Sequence, residues 1–291
     1  MDLPDLRAFL AVADTGSFSR AAERLSLTQP AVSKRIADLE RGLDTRLFDR
    51  TGRRVSLTEG GRALLPRARR LLADIEDTRR TIANLSGAVG GRLDMATSHH
   101  IGLHRLPGPL RRFTSQFPDA VLALQFMDSE AACNAVAQGE IELAVVTLPA
   151  APAQVLETRT VWHDELVVVA SDDHALAGRR RVAAADLVAY PAILPGPGTF
   201  TRAIIDTAFS ALGVSPVVSM STNYLETIRA MVGAGLGWSV LPETLLGRGL
   251  RLLPIQGFRA ARALGTVRHR ERTASSAAAA FVRLIDAPPA G

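Results

Sequence analysis

The segment "SFSRAAERLSLTQPAVSKRIADLE", Ser17 to Glu40, constrains folding more than any other, because it sets two helix starts within two dozen residues. Phe18, Ala21, Ala22 and Leu25 form an apolar stripe behind a Ser17 or Ser19 cap, and the next helix begins at Thr28. Threonine is a good N-cap, and Pro30 is tolerated in a first turn, where its missing N–H has no intrahelical partner. At about 100° per residue, Val32, Ile36, Leu39 and Leu43 make the buried stripe of this helix, while Pro30, Lys34 and Ala37 point away. Gln29 and Ser33 share one flank. Such a small, polar face near a helix start suits the second helix of a helix-turn-helix, whose N-terminal part enters the major groove of DNA. There Gln pairs with adenine, Lys with guanine or phosphate, and Ser with a base or phosphate. A plain surface helix would carry more Glu and fewer small residues.

The flanking segments extend this pattern. Leu3, Leu6, Leu10 and Ala13, with Phe9 beside them, recur at helical spacing until Gly16, which predicts a helix over 3–14. "LFDRTGRRVSLT" reads as two short strands around a Thr-Gly turn, a small wing. From Thr58 a long helix is signalled, with Gly60, Gly61 and Pro66 predicting an irregular or kinked first turn. Leu64, Ala68, Leu71, Ile75, Thr78, Ile82, Leu85 and Val89 alternate by four and three residues, an a/d seam for pairing two copies. A core-facing helix could carry the same seam, but charged residues flank this one. Some 27 residues would extend about 40 Å.

After "GAVGGRL" the pattern changes. "RLDMATS", "AVLALQF", "IELAVVT", "ELVVVAS", "VVSMST" and "GWSVLP" read as strands. Between them lie helical patterns such as "EAACNAVAQGE" and "YLETIRAMVGAG", which predicts an α/β region with a largely parallel sheet, long enough for two lobes.

Charge agrees with the placement of the reading helix. Residues 1–90 hold 16 Lys or Arg against 12 Asp or Glu, the remainder 18 against 17, so the excess sits at the N-terminal end. Within residues 41–70 the count is nine against three, a block that favours a phosphate backbone. The lone Cys133 excludes an intrachain disulfide, the start lacks the pattern of an export signal, and no run reaches the ~18 apolar residues of a membrane span. A cytoplasmic location with no membrane contact is expected. No GxSxG elbow or Walker GK[ST] occurs, "GAGLG" follows a helix rather than a strand, and Cys133 lies in an apolar helical pattern. No catalytic residue and no cofactor is therefore expected.

Phe9, Val12, Ala13, Gly16, Ser17, Phe18, Ala21, Ala22, Leu25, "TQPAVS", Ile36, "LE", "LF", Arg50 and "RRVSLTEGG" together resemble the N-terminal signature of LysR-type transcriptional regulators, densely over residues 3–62. One departure is Asp44, where the family pattern usually has Gly; Asp also tolerates a left-handed conformation. The resemblance implies a winged helix-turn-helix (1–58), a dimerising linker helix (59–90) and a two-lobed α/β effector domain (91–291) similar to type 2 periplasmic binding proteins. Lobe I would span about 91–164 and 268–291, lobe II about 165–267. It further implies Gln29, Pro30, Ser33 and Lys34 near base edges and sugar, with Arg50, Arg53 and Arg54 of the wing on phosphates. The partners implied are double-stranded DNA carrying an inverted repeat and further copies of the chain, as a homodimer and then a homotetramer. Effector closing the cleft would alter the spacing of the paired reading heads. A metabolite-binding protein with a vestigial DNA head remains the alternative.

Ligands of open α/β lobes bind beyond the carboxyl ends of strands, where helix N-termini present free N–H groups. Ser98 and His99, Thr147, the trio Gly198, Thr199 and Phe200, and the pair Thr222 and Asn223 all occupy such places, although each hydroxyl residue alone also reads as a cap. By resemblance these places hold a small-molecule effector, often an organic anion. "SHHIGLHR" puts His100 and His104 four residues apart, but no third donor lies nearby in sequence, so no metal site is expected.

Overall fold

The computed structural model describes residues 1–51, 54–85 and 87–286. Contacts divide the chain into two units, residues 1–86 with 138–140, and residues 87–137 with 141–291.

In the first unit, each short helix is bounded by the chemistry its ends require. Asp2 accepts the Asp5 N–H at 2.8 Å and opens α1 (Leu3–Thr15), which stops at Gly16 in the left-handed region, φ 59°. Ser17 caps α2 (Phe18–Leu25), and Thr28 caps α3 (Gln29–Leu43). Asp44 ends α3 at φ 47°, so the departure from Gly leaves the left-handed turn in place. Val32, Ile36 and Leu39 are fully buried against Phe9, Val12, Phe18 and Ala21, whereas Leu43 is 38% exposed and leaves the expected stripe. The stripe is one turn shorter because the helix runs past its neighbours there. Glu40 accepts the Leu47 N–H at 2.7 Å and the Phe48 N–H at 3.3 Å, which fixes the wing against α3. That wing is β1 (Phe48–Thr51) paired antiparallel with β2 (Arg54–Leu57), Phe48 opposite Leu57.

Thr58 then caps α4 (Glu59–Asn84), accepting the Gly61 N–H at 3.0 Å. Through Gly60, Gly61 and Pro66 α4 runs as one continuous helix. Gly61 serves packing instead, since a Cβ there would stand 2.2 Å from the Leu47 carbonyl oxygen. The N-terminal part of the seam, Leu64, Ala68 and the adjacent Leu72, packs on the head. Farther along, Leu71, Ile82 and Leu85 are 42%, 63% and 83% exposed. The helix ends at Asn84, before Val89, which packs in the core of the second unit.

The second unit runs β3 (Gly91–Thr97), α5 (His99–His104), α6 (Pro107–Gln116), β4 (Ala120–Phe126), α7 (Ser129–Gln138), β5 (Leu143–Thr147) and β6 (Leu156–Ser171). It continues with β7 (Ala192–Leu194), α8 (Phe200–Ser210), β8 (Val218–Ser221), α9 (Leu225–Gly233), β9 (Ser239–Pro242), β10 (Leu250–Leu252), β11 (Ala260–His269) and α10 (Ser276–Asp286). The main sheet has the order β10-β6-β11-β5-β3-β4, with β9 also on β6; β7 and β8 form a separate parallel pair. Only β3–β4 and β3–β5 are parallel within it, so the expectation of a largely parallel sheet is corrected to a mixed one. The reason is β6 and β11, two long antiparallel strands: only the 165–171 end of β6 reads as a strand, and the charged residues of its first half and of β11 hide the rest from an apolar-run reading.

These two strands are shared by two lobes. Val161 and Trp162 of β6 pack with Leu93, Phe113 and Phe281, while Leu166 and Val168 farther along pack with Phe209 and Trp238. Asp164 lies at the crossover with no exposed side-chain area. It accepts Arg105 Nη2 at 2.6 Å and Arg262 Nη2 and Nε at 2.9 and 3.2 Å; Arg262 also donates to Thr201 at 3.2 Å. Burial pushes the Asp164 carboxyl upward, but the neighbouring His100 ring and the Arg262 and Arg105 guanidiniums outweigh it and hold the group well below the usual carboxylate range. Removing one member of such a buried pair strands the other's charge. Asp164→Ala is therefore expected to lower the stability of the second unit by about 3–5 kcal/mol in chemical denaturation. Asp164→Leu combined with Arg262→Met should recover most of it, and no loss in the single variant would contradict the assignment.

Candidate nucleic-acid interface and effector cavity

With Val32, Ile36 and Leu39 buried, the opposite face of α3 is left to solvent. Gln29, Pro30 and Lys34 are exposed and Ser33 is half-buried. The Gln29 amide donates to Ser33 Oγ at 3.0 Å, so both polar groups lie together at the first turns of the helix. The Thr28 hydroxyl accepts the Ala31 N–H at 3.4 Å, holding that first turn in register. Arg50 and Arg54 lie on the strands of the wing, and Arg53 lies outside the described residues. The face can offer amide, hydroxyl and ammonium donors to a groove without first unfolding anything.

In the second unit a cavity of about 270 Å³ opens between the lobes. Of the residues expected at such a site, Ser98, His99, Thr147, Thr199 and Asn223 line it, whereas Gly198, Phe200 and Thr222 do not. Ser98 stands at the N-cap of α5 yet makes no capping bond, which leaves its hydroxyl to the cavity. Thr199 does cap: its hydroxyl accepts the Arg202 N–H at 3.2 Å and donates to the Gly196 carbonyl at 3.0 Å. His99 is held edge-on between Phe126 of lobe I and Tyr224 of lobe II, with ring centroids 5.4 and 4.8 Å away. Asn223 accepts the Gly196 N–H at 2.9 Å and donates to Asp128 at 2.8 Å, tying the lobes at the cavity edge. Phe200 contributes its backbone instead, donating its N–H to Glu130 at the start of α8. Gly198 takes a left-handed turn, φ 88°, and Thr222 donates its N–H to the Leu194 carbonyl at 3.3 Å.

Asp128, Ser129 and Glu130 also line the cavity and escaped the sequence reading, although they follow strand β4 and lie at the start of α7 as the other candidates follow their strands. Arg262 carried no local signal, being one of several arginines in "FRAARALGTVRHR". Its charge is spent on Asp164. The cavity thus presents two carboxylates outside any ion pair among the described residues, and no uncommitted guanidinium. His100 also lines it, and His100 Nδ1 and His104 Nε2 both meet Glu226 Oε1, at 3.1 and 2.9 Å. Burial raises the Glu226 carboxyl, and hydrogen bonds from His100, its own backbone and His104 more than offset this, bringing it down to about 2.

Comparison with known proteins matches both units. Residues 3–62 match the family "Bacterial regulatory helix-turn-helix protein, lysR family", and residues 86–287 match "LysR substrate binding domain". A probable RuBisCO transcriptional regulator of Synechocystis is 32% identical over 294 residues, covering 97% of this chain and 85% of that protein. An uncharacterized HTH-type transcriptional regulator of Azotobacter vinelandii is 67% identical over 120 residues, 39% of this chain and 83% of that protein. Full-length CbnR complexed with its target DNA superposes with a TM-score of 0.65 at 24% identity, covering 98% of this chain and 99% of that chain. Among the described residues no helix is long and apolar enough to cross a membrane. The chain belongs to the LysR family of transcriptional regulators, with a DNA-binding helix-turn-helix and an effector-binding domain.

Proposed function

We propose that this regulator reads an inverted-repeat operator with α3 and the wing, works as a homodimer paired into a homotetramer, and changes its DNA complex when a small molecule fills the cavity. Residues 1–58 would read DNA, 59–90 pair the protomers, and 91–291 bind the effector, in a cytoplasmic protein without catalysis. The observation that carries the reading is the exposed polar face of α3 opposite its buried stripe. Gln29 and Lys34 reach base edges, Ser33 and Pro30 lie against sugar and backbone, and Arg50, Arg53 and Arg54 take phosphates. Gln29→Ala is expected to cost about 1–3 kcal/mol of specific binding and to relax preference at one base position. Uniform weakening on every sequence, measured in gel shifts, would make Gln29 a phosphate contact instead.

Pairing rests on Leu71, Ile82 and Leu85, which one protomer alone leaves in water. Burying such side chains contributes about 1.5–3 kcal/mol each. Ile82→Asp should shift sedimentation toward monomer at concentrations where the parent is dimeric; an unchanged mass would place the interface elsewhere.

The effector is drawn into the cavity by Ser98, His99, Thr147, Thr199 and Asn223, with Gly198, Phe200 and Thr222 shaping the backbone around it. Helix starts suit an organic anion, the usual ligand suggested by the family likeness, but here Glu130 already holds the start of α8. With Asp128 beside it, the lining favours a polar molecule offering N–H or O–H donors over a simple anion. A thermal-shift screen comparing amines and polyols with carboxylates tests this, and stabilisation by carboxylates alone would contradict it. Ser98→Ala should weaken the screened ligand's shift and leave the unliganded melting temperature in place, because its hydroxyl caps nothing. Thr199→Ala should cost about 1 kcal/mol of stability as well, through loss of its cap. The reverse pattern would exchange their roles.

A further inference from the structure

We propose that His100, His104 and Glu226 form a binding site for one divalent transition-metal ion that joins the two lobes. The two histidines lie on α5, and Glu226 comes from the first turn of α9, on the other side of the cavity. The fold thereby supplies the third donor that the sequence around the histidines lacks. One donor atom from each residue lies within 4.8 Å of the others, and the two imidazole nitrogens stand 3.1 and 2.9 Å from the same carboxylate oxygen. Around a tetrahedral ion with bonds of about 2.0–2.1 Å, neighbouring donors sit roughly 3.3 Å apart, so the two histidine–carboxylate separations already match and the histidine–histidine separation, within 4.8 Å, must close to bind one.

The orientation of His100 points the same way. His100 is buried, with Nδ1 toward Glu226 and Nε2 toward Asp164 Oδ2, 3.7 Å away. Nε2 thus faces a carboxylate, as the outer nitrogen of a ligating histidine usually does, and Nδ1 is the nitrogen turned to the proposed ion. Glu226 Oε2 is buried without a hydrogen-bond partner, and such an oxygen costs stability unless something positive meets it. A cation between the three groups would give that carboxylate a positive partner. The neighbouring charges are Glu226 and Asp164 against Arg105 and Arg262, both guanidiniums being engaged on Asp164. Two imidazoles and one carboxylate select zinc, cobalt or nickel over magnesium or calcium, and leave a fourth position for water.

The test uses the full chain, stripped with a chelator and titrated with Co²⁺. The expected result is visible absorption that saturates at one ion per chain and is displaced by Zn²⁺, which also raises the melting temperature. His104→Ala, at a half-exposed position that the fold does not need, should abolish the absorption, and Glu226→Gln should weaken binding more than about tenfold. Ser98→Ala should leave it intact, which separates this site from the effector reading. Absence of saturable absorption, or equal absorption in His104→Ala and Glu226→Gln, would overturn the proposal and leave a proton-linked clasp of hydrogen bonds.

Discussion

Burial of Val32, Ile36 and Leu39 against α1 and α2 decides the orientation of α3, and with it what the head can touch. The three side chains occupy one side of the helix, so the groups that meet solvent are fixed by rotation about the axis and need no further device. Thr28 and Asp44 then set where the helix begins and ends. Glu40 transmits the same orientation to the wing by accepting two backbone N–H groups from Leu47 and Phe48. Gly61 lets α4 approach the Leu47 carbonyl closely, so the head, the wing and the start of the long helix share one frame. A polar reading face presented by a rigid frame needs little ordering on binding, which is the physical advantage of the arrangement.

The second unit solves a different problem, because its two lobes must hold a cavity between them. The long strands β6 and β11 serve both lobes, and the Asp164 cluster lies where they cross. Asp164 and Arg262 are buried and bonded to each other, with the half-buried Arg105 on the same carboxylate, whereas at the cavity edge Asn223 to Asp128 and Phe200 to Glu130 are single hydrogen bonds. The lobes are thus firmly joined at the crossover and lightly tied at the cavity edge. That gradient suits a pocket whose occupant alters how the lobes meet.

Much of this was legible in the sequence because local rules determine it. Caps at Ser17 and Thr28, the left-handed Gly16 and Asp44, and period-matched stripes in α1 to α3 are decided within a few residues. Leu43 was misjudged because periodicity shows which side of a helix faces inward without showing how far its neighbours extend. Strand β11 was missed because its apolar residues are interleaved with arginines, one of which, Arg262, is buried by a partner 98 residues away. The cavity candidates divided on the same principle. Ser98, His99, Thr147, Thr199 and Asn223 line the cavity because strand ends converge there, while the roles of Glu130 and Glu226 depend on pairings across the lobes that sequence spacing does not encode.

Selection of bound duplexes from a random-sequence library by the full-length protein, followed by salt titration of the winners, tests the orientation of α3 most directly. A correctly exposed polar face predicts enrichment of paired half-sites and an affinity that falls steeply with salt while the preference for those half-sites persists. Recovery of no shared motif, with binding that weakens identically on selected and scrambled duplexes, would contradict the account.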